Sequence, residues 1–227
     1  MRAFGAYQLK AEILLSIPLI IPQTPEAYSR IASVIANGGV IGFRTDTFYG
    51  LGADPMNHAA VWKLKELKGR DGTKPILILI ADVREVVRFV IHRSTLFDRI
   101  AESHWPGPLT LVGEARPELP VELTAGSSTI GVRLPDDDHV RSLLRLCGGS
   151  LTGTSANLSG QPDARNAQDV EQYFPMGIDL ILDRGEANAT NPSTVVDLRG
   201  KELVVIREGT ITSDELRRSM AESVAKQ

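Results

Sequence analysis

The sequence predicts an α/β fold in which helices flank a twisted, mixed β-sheet. Short apolar runs rich in β-branched residues recur through the chain, and helical patterns separate most of them. This alternation breaks down near the carboxyl end, where residues 194–197 and 203–207 have the pattern of a hairpin across Arg199-Gly200. We therefore expect a mixed sheet rather than a parallel doubly wound one.

The apolar runs predict eight strands, each of which should contribute to a core whatever the function. They cover residues 40–43, 76–80, 109–112, 129–134, 150–154, 178–182, 194–197 and 203–207.

Helix signals lie at both ends of this strand-rich region. A helix is expected over residues 25–37, because Thr24 is a good N-cap and proline follows at the first helical position. Thr212 and Glu215 have the spacing of a capping box, which predicts a helix running to about residue 224.

Length and composition favour one large domain. The chain has 227 residues with 42% hydrophobic content, and no internal repeat or linker marks a second domain. We expect a single domain over residues 1–227, with a core over about 24–211, an N-terminal extension over 1–23 and a C-terminal helix over 212–227. The net charge is only −3, so binding of polyanions must come from local clusters of cations.

Cysteine, histidine and hydropathy patterns narrow the class of protein further. Cys147 is the only cysteine, lies in an apolar helical pattern and predicts a buried, inert thiol in a reducing compartment. The four histidines are scattered, which predicts no metal site formed by protein ligands. The apolar stretch over residues 13–21 is interrupted by Ser16 and Pro18 and is shorter than the roughly 20 residues that span a bilayer. No membrane association and a cytoplasmic location are expected.

Two motifs suggest a phosphate site. Ala60, Leu64 and Leu67 predict a helix that runs into Lys68-Gly69-Arg70, with Lys74 beyond it. Arginine offers a planar fork of donors and lysine a mobile charge, which together suit a polyphosphate. The second motif, Thr154-Ser155-Ala156-Asn157-Leu158-Ser159-Gly160, follows an apolar run with short polar side chains and free backbone N–H groups. Taken singly, the first motif also fits a solvated basic helix end and the second a turn or cap.

Together with further blocks, these motifs resemble the threonylcarbamoyl-AMP synthase family, also called the YrdC-like family, whose signature is Lys-x-Arg followed by Ser-x-Asn. The resemblance covers residues 38–211. It includes Thr45-Asp46-Thr47-Phe48-Tyr49-Gly50-Leu51-Gly52, Lys68-x-Arg70 with Lys74-Pro75, Trp105-Pro106-Gly107-Pro108-Leu109-Thr110, Thr129-Ile130-Gly131-Val132-Arg133, Thr154-Ser155-Ala156-Asn157-Leu158-Ser159-Gly160, Pro192-Ser193-Thr194-Val195-Val196-Asp197 and Ile206-Arg207-Glu208-Gly209.

The resemblance implies a YrdC-like fold with a large basic cavity and a nucleotidyltransferase reaction. L-Threonine and bicarbonate form a carbamate, which attacks the α-phosphorus of ATP to give threonylcarbamoyl-adenylate and pyrophosphate. The adenylate then serves the modification of a tRNA adenosine beside the anticodon, through separate transferase machinery. Mg²⁺ would be held chiefly by ATP oxygens and water.

The resemblance also implies residue roles. Lys68, Arg70 and Lys74 would be catalytic by neutralising charge on the triphosphate. Residues that would bind ATP are Arg70, Lys74, Thr129, Ser155, Asn157, Asp163 and Arg207. Residues that would bind L-threonine are Thr45, Thr47, Arg133 and Ser193, with Arg133 on the carboxylate.

Three positions depart from the common family pattern, and two other functions remain open. Arg44 and Asp71 stand where many relatives have proline, and Leu79 stands where some have histidine. One alternative is a divergent relative that makes another carbamoyl-adenylate. The other is an RNA-binding module using the cluster of Lys63, Lys65, Lys68, Arg70 and Lys74, although the chain lacks an aromatic stacking platform.

Overall fold

The computed structural model describes residues 17–69, 74–200 and 202–225, with side chains described up to residue 220. Within these ranges lie ten strands, seven α-helices and one 3₁₀ helix. The strands are β1 Leu19–Pro22, β2 Ile41–Arg44, β3 Tyr49–Gly52, β4 Leu77–Ile80, β5 Leu109–Glu114, β6 Thr129–Arg133, β7 Ser150–Ser155, β8 Leu180–Asp183, β9 Thr194–Asp197 and β10 Val204–Arg207. The α-helices are α1 Pro25–Ala36, α2 His58–Leu67, α3 Thr95–His104, α4 Val121–Thr124, α5 Asp138–Leu146, α6 Ala167–Tyr173 and α7 Ser213–Ala225, and the 3₁₀ helix is Val83–Arg88.

The strands form one mixed sheet in the order β1-β8-β2-β3-β7-β4-β6-β5-β9-β10. The pairs β1/β8, β8/β2, β4/β6 and β5/β9 are parallel and the remaining pairs are antiparallel. The predicted α/β class with a mixed, twisted sheet is confirmed. All eight predicted strands are present, and β9 and β10 form the predicted antiparallel hairpin.

Two strands were not predicted. β3 has the sequence Tyr-Gly-Leu-Gly, and glycine at alternate positions weakens the usual strand signal. β1 lies inside the segment expected as an N-terminal extension, and it pairs in parallel with β8. Its partner is more than 150 residues away in sequence, so no local pattern reveals the pairing.

Helix caps follow the sequence signals. The Thr24 hydroxyl accepts a hydrogen bond from the Ala27 amide at 3.2 Å at the start of α1. At α7 the predicted capping box is reciprocal: the Thr212 amide donates to the Glu215 carboxylate at 2.7 Å, and the Glu215 amide donates to the Thr212 hydroxyl at 3.2 Å. Both helix starts are therefore fixed by local chemistry.

Alternating residues of the central strands face two different cores. On β4, Ile78 and Ile80 belong to a large cluster on one face of the sheet, whereas Leu79 belongs to a smaller cluster with residues of α1 and α5. Helix α1 covers the second face near β2 and β8, and α5 covers it near β4 and β7. The same face carries a cavity where it reaches β6, β5 and β9.

Cys147 ends α5 and packs against the smaller cluster, half-buried. Burial, with a smaller contribution from Asp54, raises the pKa of its thiol to about 12. The thiol therefore stays protonated near neutral pH, which accords with the inert cysteine expected from the sequence. Separately, no described helix has both the length and the apolar character needed to cross a bilayer.

Helix α7 packs on α3 through polar contacts that include His104. The His104 Nε2 atom lies 2.9 Å from the Ser219 hydroxyl, and Arg99 donates to the Met220 carbonyl at 3.2 Å. Burial lowers the pKa of His104, and the Glu215 carboxylate opposes this shift only in part. The fold thus favours neutral His104.

We expect this preference to make stability depend on pH. At a pH above about 6.5, the pKa of the imidazole in the unfolded chain, His104 is neutral in both the folded and the unfolded protein. The contribution of His104 to folding stability is then fully present. As the pH falls below that value the unfolded chain takes up the proton first, so the melting temperature drops between pH 7.5 and 5.5. His104→Gln keeps a polar partner for Ser219 without titrating, and it should flatten this part of the profile. An identical pH profile in His104→Gln would contradict the assignment.

Candidate active site

A cavity of about 390 Å³ opens on the sheet face that α1 and α5 leave uncovered. Its walls come from strands β3 to β7, from β9 and β10, and from the loops beside them. Eight residues predicted to bind ligands line it, namely Thr45, Thr47, Thr129, Arg133, Ser155, Asp163, Ser193 and Arg207. The fold therefore brings together side chains that lie up to 162 positions apart in the sequence.

Glycines keep the cavity floor open. Gly50, Gly131 and Gly153 all line the cavity, on β3, β6 and β7. A Cβ atom at Gly153 would lie 2.7 Å from Leu77 Cδ1, and one at Gly131 would lie 3.0 Å from the Thr110 methyl carbon. Because these leucine and threonine side chains already pack on the floor, a larger residue at either glycine would overpack it.

Arg133 is a buried cation held by three partners. Its Nη2 lies 2.5 Å from the Asp46 carboxylate, its Nε donates to the Gly107 carbonyl at 3.2 Å, and its Nη1 donates to the Thr47 hydroxyl at 3.4 Å. The Asp46 and Arg133 side chains are only 8% and 5% exposed. These contacts use three of the five guanidinium N–H donors. One N–H on each terminal nitrogen is left for an anion in the cavity.

The Thr45–Thr47 turn forms a small hydroxyl network beside Arg133. The Thr45 hydroxyl donates to the Phe48 carbonyl at 2.8 Å and accepts from the Thr47 amide at 3.1 Å. The two threonine hydroxyls lie 3.0 Å apart. Local hydrogen bonding therefore fixes the Thr47 side chain next to the guanidinium.

Arg207 supplies a second cation. Its Nη2 donates to the Ser193 carbonyl at 2.7 Å and to the Ser193 hydroxyl at 3.2 Å. Burial lowers the pKa of the guanidinium, as does the nearby charge of Arg133, whereas Asp163 raises it. Arginine stays charged in proteins. The described residues that line the cavity therefore include two cations and one carboxylate, and the two guanidinium groups can bind an anionic ligand.

A β-bulge and a buried hydroxyl place Arg207. In the β9/β10 pairing Val205 is opposite Val196 and Arg207 is opposite Val195, so Ile206 is an extra residue in the strand. The Thr194 hydroxyl is buried and accepts from the amides of Gly209 and Ile211 at 3.0 and 3.1 Å. These contacts hold the segment after β10 against Ser193.

Ser155, Asn157 and Lys68 form a connected cluster behind one wall. The Ser155 hydroxyl donates to Asn157 Oδ1 at 2.6 Å. The Lys68 ammonium is buried and donates to the Ser155 carbonyl at 2.6 Å and to the Asn157 carbonyl. Ser155 lines the cavity, whereas Lys68 and Asn157 are not among its lining residues. The two motifs predicted to form one site do meet, with backbone carbonyls as the partners of Lys68.

The other predicted residues occupy distinct places. Lys74 is exposed and directly precedes Pro75, which lines the cavity. Thr129 is half-buried in the lining, and its hydroxyl lies 3.0 Å from that of Ser127. Arg70, predicted to be catalytic and to bind ATP, lies outside the described residues, as does Asp71. Among the described residues no group of three or more His, Cys, Asp or Glu is placed to hold a metal ion.

Two of the departures from the family pattern have clear surroundings. The Arg44 guanidinium donates to the carbonyls of Arg184 and Glu186, each at 3.0 Å, and so binds the loop after β8. Leu79 lines the cavity and packs with the smaller core cluster.

Sequence reasoning missed three residues of the site. Asp46 pairs with Arg133, Thr110 lies 3.3 Å from the Ser193 hydroxyl, and exposed Ile206 lines the cavity. Asp46 was detectable, because it stands between two predicted ligand threonines. The bulge that places Ile206 leaves no sequence signal.

Comparison with known proteins identifies the family. The family model Sua5_yciO_yrdC, described as telomere recombination, matches residues 33–209. The chain belongs to this family. The resemblance predicted from the motifs is thereby confirmed.

Several named members of the Sua5/YciO/YrdC family cover most of this chain. It is 38% identical over 161 residues to the threonylcarbamoyl-AMP synthase of Idiomarina loihiensis, covering 70% of this chain and 87% of the relative. It is 30% identical over 210 residues to the putative threonylcarbamoyl-AMP synthase of Methanocaldococcus jannaschii, covering 92% and 99% of the two chains.

Solved family structures have the same fold. Pyrococcus abyssi Sua5 in complex with L-threonine matches with a TM-score of 0.85 and 31% identity, over 91% of this chain and 62% of that one. Escherichia coli YciO matches with a TM-score of 0.79 over 89% of this chain and 100% of that one, at 23% identity. The likeness to YciO concerns the fold alone.

Asp46→Asn should destabilise the protein strongly, because it leaves the buried charge of Arg133 without its counter-ion. We expect a loss of about 3 kcal/mol in the free energy of unfolding, measured with urea. The exposed pair of Asp214 with Arg217 is a matched control, and Asp214→Asn should cost about 0–1 kcal/mol. Equal losses in both variants would show that the buried pair is dispensable.

Gly209→Ala should separate the segment that carries Arg207 from Ser193. A Cβ atom at position 209 would lie 2.2 Å from the Pro192 carbonyl oxygen and 2.7 Å from the Ser193 carbonyl carbon. We expect a loss of about 1–3 kcal/mol in unfolding free energy. At Gly200 the nearest atoms to an added Cβ are 3.9 Å away, so Gly200→Ala is the control. A Gly209→Ala variant as stable as this control would contradict the contact.

Proposed function

We propose that this protein is a threonylcarbamoyl-AMP synthase, which makes threonylcarbamoyl-AMP and pyrophosphate from L-threonine, bicarbonate and ATP. The observation that carries the proposal is a pair of arginines that line one cavity among hydroxyl side chains, Arg133 buried and Arg207 more exposed. Two relatives of similar length, at 38% and 30% identity, bear this activity in their names, one as a putative assignment.

The reaction requires three molecules to meet in a site of limited water access. The amine of L-threonine attacks the carbon of bicarbonate, and a carbamate forms with release of water. A carbamate oxygen then attacks the α-phosphorus of ATP, the new P–O bond forms, and the bond to the pyrophosphate oxygen breaks. The protein's main contributions are positioning and stabilisation of negative charge on the leaving group.

Arg133 would bind the carboxylate of L-threonine. Its two remaining N–H donors point from a guanidinium already fixed by Asp46 and Gly107, so little rotational freedom is lost on binding. Thr47 and Ser193, with Thr45 behind them, would supply hydrogen bonds to the amino acid. These groups would pair with the substrate hydroxyl. An amino acid that lacks a hydroxyl would leave them unpaired and would therefore be rejected.

Arg207 would bind the nucleotide, with Ser155, Asn157, Asp163 and Thr129 assigned to the same ligand. Arg70 and Lys74 would neutralise the triphosphate, and Lys68 is the third predicted member of this group. The position of Lys74 before Pro75 supports contact with a ligand that extends out of the cavity. Positive charge at this opening would stabilise the negative charge that develops on the pyrophosphate leaving group.

Mg²⁺ fits this site as a companion of ATP. Asp163 is the only acidic side chain among the described residues that line the cavity, so these residues offer no carboxylate cage. A Mg²⁺ ion bound by phosphate oxygens and water needs none. When bound, the ion would offset charge on the triphosphate.

The product would serve tRNA threonylcarbamoylation through separate transferase machinery, and the reaction is proposed to take place in the cytoplasm, where ATP and tRNA occur. A relative with another amino-acid or acyl substrate is the main alternative. No described feature favours it over L-threonine.

The test is release of pyrophosphate from ATP with bicarbonate present, comparing L-threonine, L-serine and no amino acid. We expect threonine-dependent release that falls at least about 100-fold in Arg133→Ala, because the carboxylate loses its charged partner. Lys63→Met is the control, because Lys63 pairs with Asp179 and is not a lining residue. A protein that binds ATP but releases no pyrophosphate with any amino acid would contradict the proposed synthase activity.

A further inference from the structure

Side chains hold the 184–189 segment, which follows β8 and leads toward β9. Five of its backbone carbonyls, at positions 184, 185, 186, 187 and 189, accept hydrogen bonds from side chains elsewhere in the chain. The donors are Arg44, Tyr49 and Arg165. Because backbone carbonyls outside regular structure need such partners, these three side chains determine the course of the 184–189 segment.

Two of the donors flank the turn at residues 45–48. Arg44 ends β2 and Tyr49 begins β3, and they are directly opposite each other in the antiparallel ladder, so both side chains extend from the same face of the sheet. Arg44 Nη1 donates to the carbonyls at positions 184 and 186, at 3.0 Å each. The Tyr49 hydroxyl donates to the carbonyl between them at 2.9 Å and accepts from the Arg184 amide at 3.1 Å. The two ends of the turn thus hold one segment together.

The third donor covers the turn from outside. The Arg165 guanidinium lies 5.6 Å from the centre of the Phe48 ring, within the range of a cation–π contact. Its Nη2 donates to the carbonyls of Ala187 and Ala189 at 3.1 and 3.2 Å. Phe48 is buried and lines the cavity. The 184–189 segment therefore supports the turn along its whole length.

A second path of contacts joins this segment to Asp46. The Arg184 guanidinium pairs with the Asp137 carboxylate. The amide of the neighbouring Asp136 donates to Asp46 Oδ2 at 3.1 Å, while Asp46 Oδ1 binds Arg133. The contacts form a closed ring that begins and ends at the turn. A change in the 184–189 segment would therefore reach the guanidinium of Arg133.

We propose that Arg44 is a positioning residue for the recognition of L-threonine. It is not among the described residues that line the cavity, and it acts by tying the end of β2 to the 184–189 segment. This tie holds Thr47 and Asp46 in place around Arg133, the arginine proposed to bind the substrate carboxylate. The inference rests on the proposed function, because it concerns the amino acid of that reaction. The residues assigned to the nucleotide lie on other segments, so the effect should be specific to the amino acid.

The experiment measures the binding of L-threonine and of ATP by calorimetry, in the wild type and in Arg44→Ala. We expect the dissociation constant for L-threonine to rise about tenfold, because binding must then order a loosened turn, and that for ATP to stay within about twofold. An equal rise for both ligands would indicate general loosening and overturn the proposal. A lower melting temperature with unchanged binding of L-threonine would leave Arg44 a purely structural role and would also overturn it.

Companion variants isolate the contacts. Both Arg44 hydrogen bonds come from one nitrogen, and a lysine ammonium has three donors, so Arg44→Lys should bind L-threonine within about twofold of the wild type. Arg88 also donates to a backbone carbonyl, that of Gly148 at 2.8 Å, but does not line the cavity. Arg88→Ala is therefore the matched control and should leave the binding of both ligands unchanged.

The shared action of Arg44 and Tyr49 is tested in the double variant. Tyr49→Phe removes only the hydroxyl and should also weaken binding of L-threonine. Combined with Arg44→Ala it should add less than its own separate loss, because both side chains hold one segment. Fully additive losses would contradict this shared mechanism. If Arg44→Ala does not fold, Tyr49→Phe carries the comparison of the two ligands.

These outcomes separate the inference from the proposed function. A wild-type protein that binds no L-threonine would refute both. A protein that binds L-threonine but releases no pyrophosphate would refute only the synthase, because the variants can still be compared by binding. Threonine-dependent release in the wild type, with normal binding of L-threonine in Arg44→Ala, would refute only the inference.

Discussion

The buried pair of Arg133 and Asp46 is the interaction on which the cavity depends. Arg133 lies on β6, and Asp46 lies between β2 and β3, so the pair connects parts of the sheet that β7 and β4 separate. To reach Arg133, the turn carrying Asp46 must fold over the sheet face, and it brings two threonine hydroxyls with it. One ion pair thus fixes both the turn that forms one wall of the cavity and the position of the Arg133 guanidinium.

The other cations are held in a similar way, because backbone carbonyl groups accept hydrogen bonds from each of them. Carbonyl oxygens of Gly107 and Ser193 orient Arg133 and Arg207, and carbonyls of Ser155 and Asn157 surround Lys68. Fixed dipoles of this kind need little reorganisation when charge develops in a reaction. The two arginines also leave donor capacity for a ligand, since the partners described for each take only part of its guanidinium.

Local patterns predicted most of the fold and much of the site, and the failures have physical causes. Runs such as residues 76–80 are apolar and β-branched enough to identify a strand, whereas Tyr49–Gly52 owes its pairing to neighbours on both sides. Arg133 and Ser193 were found as members of sequence blocks. The burial of Lys68 under a loop 87 residues away was not, because charge and spacing do not reveal whether an ammonium faces a ligand or a carbonyl.

The strand order has a consequence for synthesis of the chain. The floor of the cavity comes from β3, β4, β6 and β7, but Arg207 is delivered by a hairpin that pairs with β5 only after residue 194. A nascent chain therefore completes its apolar floor before either its last wall or its second cation exists. Contacts between such distant segments form slowly. Until residue 207 has been made, the growing polypeptide therefore lacks Arg207, the second of the two arginines that line the cavity.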